Sequence, residues 1–342
     1  MNLSMEKKLQ AIDLFSGCGG LSVGLESAGI KVSYAVELDP KIANSYEENH
    51  KNTTMINKNI REISDDEFKK IGKNINIVAG CPPCQGFTKI NRNNIRSKFN
   101  DDRNTLILYY FRAIKDILPD FILMENVPEI VKFDKFHYVV NELEKIGYSI
   151  SYQIINVNDF GVPQNRRRLI LVGSRIRKVN LPTFQAQKKM TVKDAIGNLD
   201  KKINSKDPLQ SIYSHHTERI LKIIKMIPKD GGSRTDLPKK YWLACHKKAN
   251  VGFRDVYGRM SWNKPSPTIT GGCLSPSKGR FLHPTQNRSI SIREALLLQG
   301  FPKDYKLNPE YSKTLLAQMV GNAIPPQVAK AQGEYIKSIL RE

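Results

Sequence analysis

Residues 13–20 are Asp13-Leu14-Phe15-Ser16-Gly17-Cys18-Gly19-Gly20, and they are the strongest indication of how this chain folds. A short apolar run at 9–14 leads into them, and residues 21–28 have the composition of a helix. Glycines between a strand and a helix let the backbone approach a ligand at the carboxyl end of the strand. The pattern therefore predicts the opening strand, turn and helix of an α/β fold, with a ligand at the turn.

The sequence on either side continues the alternation of strand and helix. Apolar or alternating runs predict further strands, and periodic segments ending at Gly or Pro predict helices. Strands are predicted at 32–38, 75–80, 121–127, 150–157 and 169–173, and helices after Pro40 and at 104–118, 133–146, 290–299 and from 315 to the C-terminus. Such alternation is typical of a doubly wound, mostly parallel sheet.

Glu37 lies at the end of the second predicted strand, the strand that follows the helix after Gly20. A carboxylate at this place can accept hydrogen bonds from both ribose hydroxyls of a nucleoside cofactor. A nicotinamide oxidoreductase is one alternative, but the Gly-x-Gly-x-x-Gly spacing is absent, because Gly24 is the next glycine after Gly20. An ordinary tight turn is the other alternative.

Length and composition exclude several classes of protein. The chain has 342 residues, 40% of them hydrophobic and 25% charged, which is enough for a packed core and suggests about two domains. It has no apolar run of the roughly 20 residues that a membrane helix needs, and its N-terminus does not resemble a signal peptide. Five cysteines in so long a chain do not make a disulfide scaffold. We therefore expect a soluble, cytoplasmic protein.

Positive charge is concentrated in one region of the chain. The net charge is +21, and residues 179–284 hold 20 Lys and Arg against 7 Asp and Glu. This region is rich in Gly and Pro, which predicts a loop-rich insert with short strands. A compact basic region indicates a polyanionic partner, most plausibly nucleic acid. A general excess of lysine in a Lys-, Asn- and Ile-rich proteome is the alternative.

The stretch Gly80-Cys81-Pro82-Pro83-Cys84-Gln85 follows a predicted buried strand. Cys-x-x-Cys is compatible with a redox pair or with half of a zinc site, but the other cysteines are isolated and no second Cys-x-x-Cys is present. The other interpretation is a single nucleophile on a stiff Pro-Pro turn.

Five motifs occur in order along the chain: residues 13–20, Pro82-Pro83-Cys84-Gln85, Glu125-Asn126-Val127, Gln164-Asn165-Arg166-Arg167-Arg168 and Gln318-Met319-Val320-Gly321-Asn322-Ala323. Together they resemble the DNA (cytosine-5) methyltransferases of bacterial restriction-modification systems. The resemblance implies a Rossmann-like S-adenosylmethionine-dependent methyltransferase domain at 1–178 plus 285–342. It also implies an inserted target-recognition domain at 179–284.

The resemblance further implies the reaction, which is methyl transfer from S-adenosylmethionine to carbon 5 of a flipped-out cytosine within a specific duplex DNA sequence. Carbon 5 is a poor nucleophile, and adding a thiolate to carbon 6 activates it. By resemblance Cys84 is that nucleophile, and Glu125 protonates nitrogen 3 with Asn126 holding the loop. Arg168 is expected to contact the cytosine carbonyl oxygen and Arg166 to support the glutamate. Cys81 is expected to be a small buried hydrophobe.

The cofactor-binding residues implied by the resemblance are Phe15, Gly17, Gly19, Gly20, Glu37, Leu38, Asn59, Ile60, Leu106 and Asn322. Phe15 is expected to stack on the adenine, Leu38 to cover its face and Glu37 to bind the ribose. One position departs from the family, which usually has Asp where this chain has Asn59. The neutral amide oxygen can still accept a hydrogen bond from the adenine amino group, with less electrostatic support. No metal is expected.

The insert is expected to read the DNA, with lysines on phosphates and arginines favouring guanine. The candidate DNA contacts are Gln85, Arg234, Arg254, Arg259, Lys264, Thr268 and Arg280. His215 and His216 are expected to be surface residues rather than a metal pair, and Trp242 and Trp262 to be packing anchors. We also expect a monomer, no membrane partner, and a cognate restriction endonuclease as a functional partner.

Two alternatives keep the same fold. One branch of the family methylates cytosine in tRNA, but it carries a Cys-Phe-Thr tripeptide that this chain lacks. A non-catalytic DNA-binding protein on the same fold is the other alternative, and the presence of Cys84, Glu125 and Arg168 argues against it.

Overall fold

The computed structural model describes residues 8–83, 105–186, 188–199, 206–247 and 255–341. The chain divides into two compact units. The first unit comprises Met1–Asn156, Arg167–Phe184 and Ile324–Glu342, and the second comprises Val157–Arg166 and Gln185–Ala323. The first unit is thus built from three separate parts of the sequence.

A seven-stranded sheet forms the first unit, in the order β3-β2-β1-β4-β5-β7-β6. The strands are β1 Gln10–Leu14, β2 Lys31–Val36, β3 Thr54–Ile56, β4 Ile77–Gly80, β5 Phe121–Asn126, β6 Ser149–Asn156 and β7 Arg167–Ser174. Strands β1 to β5 are parallel to one another, and β7 is antiparallel to β5 and β6. The predicted doubly wound, mostly parallel sheet is confirmed. The short strand β3 was not predicted.

Ten α-helices lie in the described part of the chain: α1 Gly20–Ser27, α2 Pro40–Asn49, α3 Asp65–Gly72, α4 Leu106–Ile117, α5 Asp134–Lys145, α6 Val192–Ile196, α7 Glu218–Met226, α8 Ile292–Leu298, α9 Lys313–Asn322 and α10 Pro326–Arg341. Local signals begin several of them. Asp39 caps α2 by accepting from two backbone N–H groups, with Pro40 in its first turn. Helix α3, which was not predicted, begins with a capping box between Ser64 and Glu67.

The apolar face of β1, β4 and β5 packs against α3, α4 and α5. Its core includes buried Ile12, Val78, Ile114, Phe136 and Leu143. Burying such side chains is the main stabilising term for the sheet, at about 1.5–3 kcal/mol for each large one.

On the first unit, α10 packs closely against α1. A Cβ atom at Gly24 would lie 2.3 Å from the carbonyl oxygen of Pro326 and 2.5 Å from the Cβ of Ala329. Gly24 is therefore required by close helix packing. The segment from 315 onward was predicted as one helix, and this is wrong. Pro325 and Pro326 separate α9 from α10, because proline cannot continue a helix into the preceding turn.

The second unit contains α6 to α9 and a series of short 3₁₀ helices, the longest being Val157–Phe160 and Pro208–Ser211. One of its apolar clusters joins Ile224, Ile227, Leu237, Tyr257 and Leu282. The loop-rich character predicted for 179–284 is confirmed. The predicted short strands are not found among its described residues, where only isolated bridges such as Arg259 to Leu282 occur.

The second unit differs from the predicted insert of 179–284: it also includes 157–166 and 285–323, whereas 179–184 belong to the first unit. Helix α8 packs against α6, against α9 and against Pro208–Ser211, so it belongs to the same compact body as the insert. Among the described residues, none of the helices combines the length and the apolar character that crossing a membrane requires.

Candidate active site

The turn after β1 has a backbone that few residues adopt. Gly17 and Gly19 have φ angles of 55° and 91°, and Phe15 has a φ of 60°. A non-glycine residue in this region stores about 1–3 kcal/mol of strain, and such residues concentrate at functional sites. No described atom lies within 4 Å of a Cβ built on Gly17, so its positive φ, not lack of space, requires glycine there.

Glu37 connects this turn to the end of β2. One carboxylate oxygen accepts from the Gly17 N–H at 3.0 Å and the other from the Asp39 N–H at 2.9 Å. Burial raises the pKa of Glu37, although these backbone hydrogen bonds oppose the increase. The structure therefore brings together Gly17 and Glu37, two of the residues predicted to bind a cofactor.

Asp13 lies beneath the same turn and is buried. One of its oxygens accepts from the Ser22 hydroxyl at 2.7 Å, and the Ser22 oxygen lies 2.7 Å from the Tyr46 hydroxyl. Burial raises the pKa of Asp13 to about 7, with a smaller contribution from the charge of Glu37. The sequence analysis did not single out this group, although Asp13 begins the quoted motif.

Two buried polar atoms at this turn have no hydrogen-bond partner among the described residues, the Oδ1 of Asp13 and the Oγ of Ser16. Buried polar atoms usually have partners, so such atoms at a strand end indicate a place for a polar ligand. The hydroxyl and ammonium groups of S-adenosylmethionine are donors that these oxygens and Glu37 can accept. The residues present thus fit that cofactor.

Other residues predicted to bind the cofactor lie outside this turn. Leu38 exposes 63% of its surface, as a residue covering a ligand face requires. Asn57 donates to the carbonyls of Glu37 and Leu38 at 2.8 and 3.1 Å, so it fixes the chain where both residues stand. Sequence reasoning missed Asn57, because it lies in no motif. Leu106, the first residue of α4, is half-buried.

Asn59 and Ile60 differ in whether their side chains are accessible to a ligand. The Asn59 side-chain oxygen accepts from the Arg61 N–H at 3.1 Å and caps a short 3₁₀ helix, leaving one lone pair for another donor. Ile60 is buried in the core, so its side chain has little surface for a ligand. Asn322 is the exposed last residue of α9 in the second unit, and its cofactor contact stays a prediction.

Glu125 and Arg168 form an ion pair at the carboxyl end of β5. Arg168 Nε lies 2.9 Å from Glu125 Oε1, and both side chains are largely buried. Asn126 donates to the carbonyl of Pro82 at 2.9 Å. It thereby ties the glutamate strand to the turn that leads to Cys84, as predicted.

Arg166 has a different role from the one predicted. Its guanidinium donates to the carbonyls of Ile269, Gly321 and Ala323, all in the second unit. The residue bound to Glu125 is Arg168, which was expected to contact the cytosine. The assignment of Arg166 as the support of Glu125 is therefore corrected, because its donors are directed at backbone carbonyls.

Cys81 lies beside Glu125. Burial and the Glu125 charge raise the pKa of the Cys81 thiol well above its usual range, so this thiol stays protonated at neutral pH. A protonated thiol is a poor nucleophile, so Cys81 is not a competitor of Cys84 on this ground. The side chain is half-buried and not fully buried as predicted. Among the described residues, no three His, Cys, Asp or Glu side chains assemble into a metal-binding group. Cys84, Gln85 and Arg254 lie outside the described residues.

Two arginines predicted to contact DNA are bound to backbone carbonyls of the second unit. Arg259 is fully buried and donates to the carbonyls of Ile224, Ile227 and His283 and to other oxygens nearby. Arg280 donates to the carbonyl of Arg259 and to those of neighbouring glycines. For Arg259 the prediction is wrong, because the side chain is fully buried and its guanidinium donors are taken by partners within the unit. Arg280 is half-buried, and its DNA contact stays a prediction.

The remaining candidates differ in exposure. Arg234 is buried and lies over the Trp242 ring at 5.4 Å, so it too is corrected to a structural residue. The Thr268 hydroxyl donates to the carbonyl of Asn165 at 2.9 Å, and Lys264 is exposed. The DNA contacts of Thr268 and Lys264 stay predictions. Trp242 is half-buried and packs on the apolar cluster of the second unit, as predicted.

Comparison with known proteins identifies the family. The family model described as C-5 cytosine-specific DNA methylase matches residues 9–338. The chain belongs to this family. It is 36% identical over 344 residues to the type II methylase M.HgiDII of Herpetosiphon aurantiacus, covering 96% of this chain and 95% of the relative. It is 31% identical to the type II methyltransferase M1.HphI of Haemophilus parahaemolyticus, over 96% of this chain and 86% of the relative.

Solved structures agree with this assignment. A putative DNA modification methyltransferase encoded within an E. coli prophage superposes with a TM-score of 0.70 and 25% identity, over 98% of this chain and 100% of that one. The Entamoeba histolytica methyltransferase EhMeth also has a TM-score of 0.70, over 98% of this chain and 100% of that one, and at 21% identity it supports the fold alone. The protein is therefore a DNA (cytosine-5) methyltransferase that uses S-adenosylmethionine.

Proposed function

We propose that the Glu125–Arg168 pair, with Cys84, forms the catalytic group of this methyltransferase. The observation that carries the proposal is the 2.9 Å ion pair at the end of β5, tied through Asn126 to the Cys81-Pro82-Pro83 turn that precedes Cys84. The thiolate of Cys84 adds to carbon 6 of the cytosine, and the ring takes a proton at nitrogen 3. Carbon 5 then becomes nucleophilic and takes the methyl group that bound S-adenosylmethionine would supply. Loss of the carbon 5 proton, of the thiolate from carbon 6 and of the nitrogen 3 proton restores the ring and frees Cys84.

We propose that Glu125 supplies the proton to nitrogen 3, because its strand is tied through Asn126 to the turn that leads to Cys84. We also propose that Arg168, whose Nε lies 2.9 Å from Glu125 Oε1, turns to the carbonyl oxygen of an entering cytosine, as the family resemblance implies.

We propose that Phe15, Glu37, Leu38 and Asn59 hold S-adenosylmethionine, with the backbone of Gly17, Gly19 and Gly20 close to it. Bound S-adenosylmethionine supplies an electrophilic methyl group. The chain positions it through the carboxylate of Glu37, itself held by the Gly17 and Asp39 N–H groups. The Asp13 and Ser16 oxygens that have no hydrogen-bond partner in the described part of the chain support a polar ligand at this turn.

We propose that the second unit recognises the target sequence in duplex DNA and that the target cytosine is flipped out of the helix. The support is the basic character of 179–284 and the family's need to reach a base inside a duplex. The names of the relatives as type II methylases support a role as the modification half of a restriction-modification system, with a cognate endonuclease. We further propose that the enzyme is a cytoplasmic monomer.

Incubation with tritiated S-adenosylmethionine and either duplex DNA or tRNA tests the activity and the role of Cys84. We expect label in duplex DNA with the wild-type protein and none with Cys84→Ser, which should still bind DNA. Label in tRNA alone would overturn the substrate assignment. A fully active Cys84→Ser protein would show that another group is the nucleophile.

A further inference from the structure

The 3₁₀ helix Lys239–Tyr241 forms an exposed basic and aromatic surface on the second unit, here called the 239–241 ridge. All three side chains are exposed, and Tyr241 exposes 41% of its surface. The Lys240 ammonium lies 5.1 Å from the centroid of the Tyr241 ring, within cation–π range. The ridge therefore combines two exposed lysines with one exposed aromatic ring.

Residues on both sides hold the ridge in place. Leu237 is buried in the apolar cluster of the second unit, and Trp242 packs against the same cluster. The Trp242 indole N–H donates to the carbonyl of Leu237 at 2.8 Å, which closes the segment on itself. Arg234 lies over the Trp242 ring and adds to the packing of this base. The ridge is therefore presented from a packed base, which limits the entropy lost when a partner binds.

The charge of this segment is not balanced locally. Residues 237–254 contain five Lys and Arg and no Asp or Glu. The acidic residues at its two ends are already engaged, since Asp236 accepts from the Ser233 N–H at 2.8 Å and Asp255 pairs with Arg280 at 3.2 Å. Lys239 and Lys240 are thus two exposed lysines, consecutive in the sequence, in a stretch that contains no Asp or Glu.

We propose that the 239–241 ridge binds duplex DNA, with Lys239 and Lys240 on successive phosphates and the Tyr241 ring against a sugar or base. The proposal rests on the DNA methyltransferase activity of the family and assigns contacts to residues outside its motifs. Phosphates take most protein–DNA hydrogen bonds and fix the register of the protein on the duplex. Since Arg234 and Arg259 are buried in the second unit, the ridge supplies exposed groups for that task.

A matched pair of double variants tests the phosphate contacts. Lys239→Gln with Lys240→Gln removes two charges from the ridge, and Lys222→Gln with Lys225→Gln removes two charges from exposed positions of α7. Binding of each protein to a fluorescent duplex of mixed sequence is measured at several salt concentrations. Each lost phosphate contact should lower the steepness of log K against log salt by about 0.9, which is roughly eightfold in affinity at 0.1 M salt.

We expect the ridge variant to lose affinity and salt dependence while the α7 variant matches the wild type. The proposal would be overturned if the two variants bound DNA with the same affinity and the same salt dependence while both kept the thermal unfolding midpoint of the wild type. Tyr241→Ala should lower kcat/KM for unmethylated genomic DNA, and Tyr241→Phe should restore it. An equal decrease in the Phe variant would refute ring contact.

The same samples separate this proposal from the proposed activity. Wild-type protein that transfers no label to duplex DNA would refute the activity itself. If the wild type transfers label normally but the ridge variant binds DNA like the α7 variant, only the proposed DNA contact of the ridge is refuted.

Discussion

Replacing Asp13 with Asn should stabilise the protein without cofactor, and more so at alkaline pH. Burial raises the pKa of Asp13 from 3.8 to about 7 in the folded protein. The unfolded chain releases this proton at lower pH than the folded protein does. Between these two values the folded state therefore binds more protons than the unfolded state, and stability from this group falls as pH rises.

The size of the effect follows from the two pKa values. At pH 8 the difference between them corresponds to a cost of about 4 kcal/mol relative to a neutral side chain of the same shape. At pH 5.5 the folded protein still holds the proton, and the cost is about 2 kcal/mol. Asn does not titrate, so the advantage of Asp13→Asn should grow by about 2 kcal/mol between pH 5.5 and pH 8.

Thermal and urea unfolding of wild type and Asp13→Asn at both pH values, without cofactor, measures this difference. The matched control is Asp39→Asn, whose carboxylate caps α2 near the surface. That variant should be less stable than the wild type at both pH values, because it loses the interaction of a charged cap with the helix N-terminus. An advantage of Asp13→Asn that is the same at pH 5.5 and 8, or is absent at both, would refute the burial argument.

Three further variants test other parts of the structure. Glu125→Gln should lower kcat by about 10²- to 10⁴-fold through loss of proton transfer, with S-adenosylmethionine affinity unchanged in a calorimetric titration; activity near wild type would exclude the proton role. Asn57→Ala should weaken S-adenosylmethionine binding about fivefold, as expected for about 1 kcal/mol from lost hydrogen bonds to the Glu37 and Leu38 carbonyls, and an unchanged Kd would remove Asn57 from the site. Arg259→Met should lower the free energy of unfolding by about 3–5 kcal/mol, because it leaves buried carbonyls without donors. The control Lys264→Met, at an exposed position, should leave the free energy of unfolding unchanged. Equal unfolding midpoints for the two variants would contradict the structural role of Arg259.

The sheet and the turn after β1 could be predicted because their signals are local in the sequence. The apolar run before residues 13–20, the glycines within them and Glu37 after the next strand lie close together in the sequence. Pro40 placed the start of α2 in the same way. Strand β3 was missed because so short a segment carries too little pattern to distinguish a strand from a loop.

The roles of individual arginines could not be predicted in this way. An arginine in a basic, Gly-rich segment has the same local sequence whether it faces DNA or the interior. The burial of Arg259 depends on carbonyls that are distant from it in the sequence, at Ile224, Ile227 and His283. Likewise, which of Arg166 and Arg168 meets Glu125 is decided by the β5–β7 pairing, which joins strands separated by α5 and β6.

The packing of α10 on α1 has a consequence for biosynthesis. Gly24, near the start of the chain, contacts Pro326 and Ala329, and the whole second unit is encoded between them. During translation the first unit therefore lacks the helix that packs on α1 until α10 has left the ribosome, whereas the second unit is already synthesised by then. We expect α1 to expose its apolar face in nascent chains that stop before α10, which makes those intermediates natural clients for chaperones.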